Sequence, residues 1–334
     1  MTLLLGIETS CDDTATAVVR DARHVLSNVS TNQDAFHAKY GGIVPEIASR
    51  RHASLLSAAV DDALVRAGTS LEAIDGIAVT AGPGLIGSLV VGVATAKALA
   101  FATGKPLYAV NHLHGHLFAA FLATDVEPPY PFLALLVSGG HSQLVAVESA
   151  RELRVIAKTR DDAAGEAFDK TARLLGLPFP GGPALEALAR DGNPKAVAFP
   201  RYRPEPGALD LSFSGLKTSA RYFLASDAAH DVSRADVAAS FQAAIVDVLI
   251  DRVERALEAR AYRAIVLSGG VAANMVLATA FRRAGDARGI PTFIPEHRFC
   301  TDNAAMIAGA AQRRGDLDRC DPLTLTANPN LPFA

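Results

Sequence analysis

Short, nearly unbroken apolar runs alternate with longer stretches in which apolar residues recur every three or four positions. This order occurs twice along the chain. In the first half, residues 3–7, 14–19 and 24–30 predict three strands. Residues from about 45 to 67 predict a helix, with Pro45 suited to its first turn. A strand at 74–80, a Gly-Pro-Gly turn, a small-residue helix to about 103, a strand at 107–110 and a histidine-bearing helix follow. The order is βββαβαβα. The second half opens on strands at 131–137, 142–147 and 154–158. An expanded helical region spans about 160–260, then come a strand at 264–267, a helix at about 272–288, a strand at 292–294 and a last helix from about 302. Val237, Phe241, Ile245, Val248, Leu249, Val253 and Leu257 form one apolar stripe of a helix beginning near 233. That stripe reads as core.

Two runs of the same element order predict a duplicated α/β chain of two lobes. The expected division is 1–127 and 128–334, with Pro128-Pro129-Tyr130-Pro131 at the join. The last helix is assigned to the second lobe. Half of the 334 residues are apolar, enough for a large core, and the net charge of −3 points to neither a membrane surface nor a globally basic nucleic-acid binder. A local basic patch is compatible with it. The three cysteines, Cys11, Cys300 and Cys320, imply no disulfide framework, and a cytoplasmic location is expected. The N-terminal run reaches Glu8 and Asp12 too soon for a signal peptide. The apolar run 85–103 contains Ser88, Thr95 and Lys97 and reads as a buried helix, not a membrane span.

The chemistry concentrates at Asn111-His112-Leu113-His114-Gly115-His116 and at Thr301-Asp302-Asn303. On a helix, His112 and His116 share a face, and a carboxylate from a distant helix start would complete a three-ligand metal site with open positions. Alone, the two histidines read more simply as polar residues near a helix start than as ligands, and Asp302 as an ordinary N-cap. If equivalent helices of two related lobes meet, His112, His116 and Asp302 converge. A zincin would place Glu after the first histidine; here that residue is Leu113.

Three strands end in glycine- or serine-bearing turns: Gly6-Ile7-Glu8-Thr9-Ser10, Ser138-Gly139-Gly140-His141 and Ser268-Gly269-Gly270-Val271. Backbone amides in such turns can hold anionic oxygens. Three of them in register with a duplicated pattern match the actin-like ATPase and sugar-kinase arrangement. P-loop and G-x-G-x-x-G motifs are absent. Asp169 reads as either a hydroxyl acceptor or a surface helix residue paired with a base. Asn274 reads as a nucleoside contact or a first-turn polar residue. Arg50, Arg51, Arg201, Arg203, Lys217 and Arg221 are the basic candidates for a polyanion.

Together these strings resemble the bacterial TsaD (Gcp) family of tRNA threonylcarbamoyladenosine transferases. The matching segments also include Gly82-Pro83-Gly84-Leu85-Ile86-Gly87-Ser88-Leu89, Asp162-Ala163-Ala164-Gly165-Glu166-Ala167-Phe168-Asp169-Lys170 and Phe213-Ser214-Gly215-Leu216-Lys217-Thr218, so the resemblance covers almost the whole chain. It implies an actin-like fold. It implies transfer of threonylcarbamoyl from threonylcarbamoyl-adenylate to the exocyclic amine of the adenosine 3′ to the anticodon, tRNA position 37, in tRNAs reading codons that begin with A, with release of AMP. By resemblance, His112, His116 and Asp302 hold one divalent metal, iron (Fe2+) first and zinc as the alternative. Leu136, Val137, Ser138, Gly139, Gly140, Asp169, Gly182 and Asn274 are the implied substrate-binding positions. Asp12 is the implied catalytic residue, and the role of Glu186 stays open. The resemblance also implies a non-catalytic paralogue (TsaB), an ATPase (TsaE) and no membrane. The competing readings are an actin-fold ATPase or kinase, which needs no histidine cluster, and a metal-dependent glycoprotease.

Overall fold

The computed structural model describes residues 1–333. Strand β1 (Leu3–Glu8) pairs antiparallel with β2 (Thr14–Arg20), which pairs antiparallel with β3 (His24–Thr31). A short helix α1 (Asp34–His37) and the long α2 (Pro45–Arg66) return the chain to β4 (Gly76–Gly82), parallel to β1. Helix α3 (Ile86–Thr103), strand β5 (Leu107–Asn111), parallel to β4, and α4 (His112–Ala119) complete the first run.

The second run repeats it. Strands β6 (Phe132–Val137), β7 (Ser142–Val147) and β8 (Leu153–Lys158) form an antiparallel meander. The expanded region consists of α5 (Ala164–Leu174), α6 (Gly181–Ala189), α7 (Ser214–Leu224) and α8 (Arg234–Ala259). Strand β9 (Ala264–Ser268) lies parallel to β6; α9 (Met275–Asp286) and β10 (Thr292–Phe293) follow. The sheet orders, β5-β4-β1-β2-β3 and β10-β9-β6-β7-β8, correspond strand for strand. The predicted helix at 272–288 is divided: a 3-10 turn, Gly270–Ala273, precedes α9, because Asn274 caps the latter.

The division into units differs from the expected one. Residues from Pro295 onward form one compact unit with Met1–Pro128, and Pro129–Ile294 form the other. The closing helix α10 (Ala304–Arg314) packs on β1, β2 and β4, and a further strand, β11 (Arg319–Cys320), pairs with β5. The reason lies in side-chain alternation along β1. Leu5 and Ile7 face α2 and α3 in clusters with Leu56, Val60 and Val93. Gly6 points to the opposite face, where a Cβ would stand 2.3 Å from the Ala304 carbonyl oxygen. The chain therefore needs glycine at 6, beneath the backbone of residue 304, and a small residue at 308 to seat α10 against the sheet. A strand covered on both faces reads as a continuous apolar run, which is what β1 shows.

Helix α3 also corrects an expectation. Ser88, Leu89, Gly92, Val93, Ala96 and Ala100 are buried, but Ile86, Val90 and Phe101 stand exposed on its other face. The small-residue run is thus half covered within its unit.

Candidate functional site

In the first unit the parallel strands β1, β4 and β5 end together, and their carboxyl ends carry Glu8, Thr80 and Asn111-His112. Such ends are where open α/β sheets place ligands. Asn111 N-caps α4: its Oδ1 accepts from the Leu113 amide at 2.9 Å. This starts the helix at His112, so His112 and His116 stand one turn apart, with ring centroids 4.7 Å apart and planes at 85°.

The third group arrives on α10, which packs against α4. Asn303, not Asp302, caps α10, its Oδ1 accepting from the Met306 amide at 2.9 Å. Asp302 lies one position before the cap, and its side chain reaches the histidines. Its Oδ1 is 3.1 Å from His116 Nε2 and 3.4 Å from His112 Nε2. The three donor atoms lie within 4.8 Å of one another. Around an ion with arms of about 2.1 Å, donors stand about 3.4 Å apart in a tetrahedron and about 3.0 Å in an octahedron. The two measured edges fall in this range. Two imidazoles and one carboxylate suit Fe2+ or Zn2+, and three protein ligands leave coordination positions open.

A residue without a role in the sequence reading orients this cluster. Glu8 is fully buried, and its Oε2 lies 3.0 Å from His112 Nδ1. The same carboxylate accepts from Thr80 Oγ1 and from the Ser10 amide, both at 2.5 Å. With Nδ1–H donated to Glu8, a neutral His112 would present its Nε2 lone pair toward Asp302 and His116, the form a metal ligand needs. Ser10 Oγ stands 3.1 Å from the same Nδ1. The signal was present in the sequence, since Glu8 ends an apolar strand and must be buried with it.

The electrostatics favour a cation. Burial pushes the His112 pKa down, but the Asp302 and Glu8 charges outweigh it and raise it well above the ordinary imidazole value. Burial likewise opposes ionisation of Asp302, yet His112 and His116 hold its carboxyl far below the usual range. A site that draws a proton this strongly draws a divalent cation by the same charges.

Asp12 and Asp13 occupy the β1–β2 turn. Burial first, then the Asp302 charge among others, raises the Asp12 pKa. The same causes, burial first and then Asp302 and Asp12, push Asp13 up to about 8. Asp13 accepts a hydrogen bond from Asn32 Nδ2 at 3.2 Å. Below the unfolded value near 3.8 the group is protonated in both states; as pH rises toward 8 the folded chain alone resists ionisation, so Asp13 lowers stability increasingly over that window. The metal-free Asp13→Asn chain is expected to show a higher heat-unfolding midpoint than wild type at pH 8 and an equal one at pH 4. Equal midpoints at both pH values would remove the argument.

In the second unit, β6 and β9 also end together. Leu136 and Val137 are buried strand residues that lead into the Ser138-Gly139-Gly140 turn. Gly139 and Gly140 are exposed, and a Cβ on either would meet no atom within 4 Å. Gly269, at φ +91°, lies so near Val137 that a Cβ would stand 2.4 Å from its carbonyl oxygen. Only glycine fits there. Asp169 Oδ1 accepts from the Gly182 amide at 2.9 Å, which couples two predicted substrate positions. Asn274 caps α9, accepting from the Leu277 amide at 3.0 Å, and donates to Gln242 Oε1 at 2.8 Å. Glu186 gains a local role: its Oε1 accepts from the Met275 amide at 2.8 Å, in the first turn of α9.

The basic candidates sort differently from one another. Arg201 pairs with Asp247 at 2.9 Å, and the Arg51 guanidinium stacks 4.0 Å over the Phe36 ring. Lys217 and Arg221 instead line a cavity in the second unit.

A model of the family TsaD, tRNA N6-adenosine threonylcarbamoyltransferase, matches residues 24–309. The enzyme of that name from Moorella thermoacetica is 51% identical over 99% of this chain and 97% of its own. Its counterpart from Anaeromyxobacter dehalogenans is 52% identical over 93% of each chain. Among solved structures, full-length HypF in its phosphate- and nucleotide-bound form is similar in fold, with TM-score 0.62, 12% identity and coverage of 95% of this chain and 46% of that one. The (R)-2-hydroxyglutaryl-CoA dehydratase component A of Acidaminococcus fermentans gives TM-score 0.55 at 14% identity, covering 94% and 99%. With the fold of the actin-like and sugar-kinase class and half of its residues shared with such relatives from end to end, the chain belongs to the TsaD family of tRNA N6-adenosine threonylcarbamoyltransferases.

Proposed function

We propose that this transferase takes its threonylcarbamoyl group from threonylcarbamoyl-adenylate. The acceptor in this reading is the exocyclic amine of the adenosine 3′ to the anticodon, tRNA position 37, in tRNAs reading codons that begin with A. The amine nitrogen forms a bond to the carbamoyl carbon, the carbon–oxygen bond to the phosphate breaks, AMP departs with the electron pair, and the amine gives up a proton. The observation that supports the reading is the convergence of His112, His116 and Asp302 around Nε2 and Oδ1 atoms aimed at one another. An ATPase or kinase of this fold has no use for that cluster.

His112, His116 and Asp302 would hold one divalent ion, with Fe2+ proposed and Zn2+ the alternative, and when bound it would supply Lewis-acid polarisation of a carbonyl or phosphoryl oxygen and help to orient the donor. Glu8 fixes the His112 ring and its tautomer. The Gly139 and Gly140 amides suit the phosphate, where they offset negative charge without rearranging. Asp169, Gly182 and Asn274 are proposed to hold the adenylate. Asp12, whose pKa burial raises, is proposed to orient the acceptor amine and to take its proton. An adenine amine is a weak nucleophile, so positioning contributes much of the rate.

We further propose that a non-catalytic paralogue (TsaB) and an ATPase (TsaE) act with this chain in the cytoplasm. The exposed apolar residues Ile86, Val90 and Phe101 on α3 support a protein partner, and the unpaired thiols of Cys11, Cys300 and Cys320 support a reducing compartment.

Pre-formed threonylcarbamoyl-adenylate mixed with an unmodified tRNA transcript, with the two partners added, tests the reading by nucleoside mass analysis. Wild type is expected to give the modified adenosine at position 37 and Asp12→Asn to lose about 100-fold in rate. Full activity of Asp12→Asn removes the proton-acceptor role. No product from wild type, or product at another nucleoside, overturns the reaction.

A further inference from the structure

Basic residues are distributed unevenly in this chain. Residues 129–294 contain 20 Lys and Arg against 18 Asp and Glu, a net +2, whereas the remainder contains 12 against 17, a net −5. A polyanion meets its electrostatic attraction on the second unit.

Within that unit, Lys170 and Arg173 on α5 and Lys217 and Arg221 on α7 line one cavity of about 350 Å3, with Leu174 and Thr218. The spacing makes this possible: positions three apart on α5 and four apart on α7 each share a helix face, and the two helices pack together. Asp162 binds both lysines, and Glu166 pairs with Lys170 at 2.5 Å. Two carboxylates thus offset two of the four cations. No carboxylate among the described residues lies within ion-pair distance of Arg173 or Arg221, both exposed.

The walls are fixed before any ligand arrives. Asp161 accepts from the Phe213 amide at 2.8 Å and the Ser214 amide at 3.2 Å, and from the Ser212 and Ser214 hydroxyls at 2.6 and 2.7 Å. That clasp ties the start of α7 to the loop that begins α5. Beside Arg221, the Tyr222 ring is 64% exposed, an aromatic face next to a cationic pocket. Guanidinium groups grip phosphate oxygens in pairs, and an exposed ring offers a stacking surface for a base.

We propose that the cavity between α5 and α7 is a docking site for the phosphate backbone of tRNA, with Arg173 and Arg221 as the phosphate-binding residues and Lys170 and Lys217 as their braced support. This rests on transfer to tRNA and adds where the tRNA is held. Arg201 is tied to a carboxylate, Asp247, whereas the Arg221 guanidinium rests 5.4 Å from the centroid of the exposed Tyr222 ring, a contact that leaves its charge uncompensated.

The test uses the full chain, an unmodified tRNA transcript and the double variants Arg173→Gln/Arg221→Gln and Arg173→Lys/Arg221→Lys. Dissociation constants are measured across a salt series. The glutamine pair is expected to weaken binding about tenfold near physiological salt and to flatten the log–log salt slope by about 1.4–1.8, the loss of two phosphate contacts. The lysine pair is expected to keep the slope. Affinity for the adenylate donor and the unfolding midpoint are expected to stay unchanged in both. An unaltered slope in the glutamine pair overturns the docking site, as does an equal loss in the lysine pair. Transfer by wild type to the same transcript is read in parallel, so a failure of the proposed reaction registers there and not in the salt slope.

Discussion

Asp302→Ala is expected to lose bound metal and transfer activity together, with a rate at least about 1000-fold below wild type. The Asp302 carboxylate places Oδ1 3.4 Å from His112 Nε2 and 3.1 Å from His116 Nε2. It is also, with Glu8, one of the two counter-charges that hold His112 well above its ordinary pKa. Without it, two neighbouring imidazoles remain on one helix face, half of a site, and two neutral nitrogens retain a divalent ion poorly. Elemental analysis after anaerobic loading with Fe2+ gives the metal content; nucleoside mass analysis gives the product. Wild type should carry one equivalent and the variant less than a tenth of one. A variant that still holds one equivalent takes Asp302 out of the ligand set. A variant that loses the metal and keeps its rate takes the metal out of the reaction. The unfolding midpoint guards against a trivial loss. Asp302 sits on a loop before a capped helix, and its removal leaves the Asn303 cap and the packing of α10 in place.

The duplicated order of strands and helices was legible because each strand buried on both faces reads as an apolar run, and each amphipathic helix as a stripe. The sheet orders agree with that reading strand for strand. The division into units was not legible. Element order assigns α10 to the second half, whereas its packing depends on Gly6 giving way to the Ala304 carbonyl, a complementarity between residues nearly 300 positions apart. This is also why His112, His116 and Asp302 come together within one unit: α4 and α10 are neighbours there. Asp302 was legible as a polar residue near a helix start, but the cap belongs to Asn303, and adjacent Asp-Asn cannot be ranked by type alone. Glu8 stood in plain view at the end of β1. Its role depends on which side chains the neighbouring strands present at the same level, and one strand does not reveal that.

Glu8→Gln is expected to weaken metal binding by about 10- to 100-fold while leaving the three ligands intact. The carboxylate accepts on both oxygens: Oε1 from the Ser10 amide, Oε2 from Thr80 Oγ1 and His112 Nδ1. A carboxamide has one acceptor and one donor. With its NH2 toward Ser10, two donors face each other at hydrogen-bond distance. With its NH2 toward His112, Nδ1 must become the acceptor, the proton moves to Nε2, and the nitrogen that faces Asp302 loses its lone pair. Both placements penalise the tautomer the metal needs, and the variant also lacks the negative charge that supports it. Chelator competition measures the affinity. Transfer measured over a range of Fe2+ concentrations separates positioning from chemistry. If Glu8 acts through His112, the rate returns toward wild type once the site is saturated. A rate that stays low at full occupancy assigns Glu8 a part in the reaction itself. An unchanged affinity means that the ring is held by helix α4 and its Asn111 cap alone, and the 3.0 Å contact between Glu8 and His112 is then a consequence of packing.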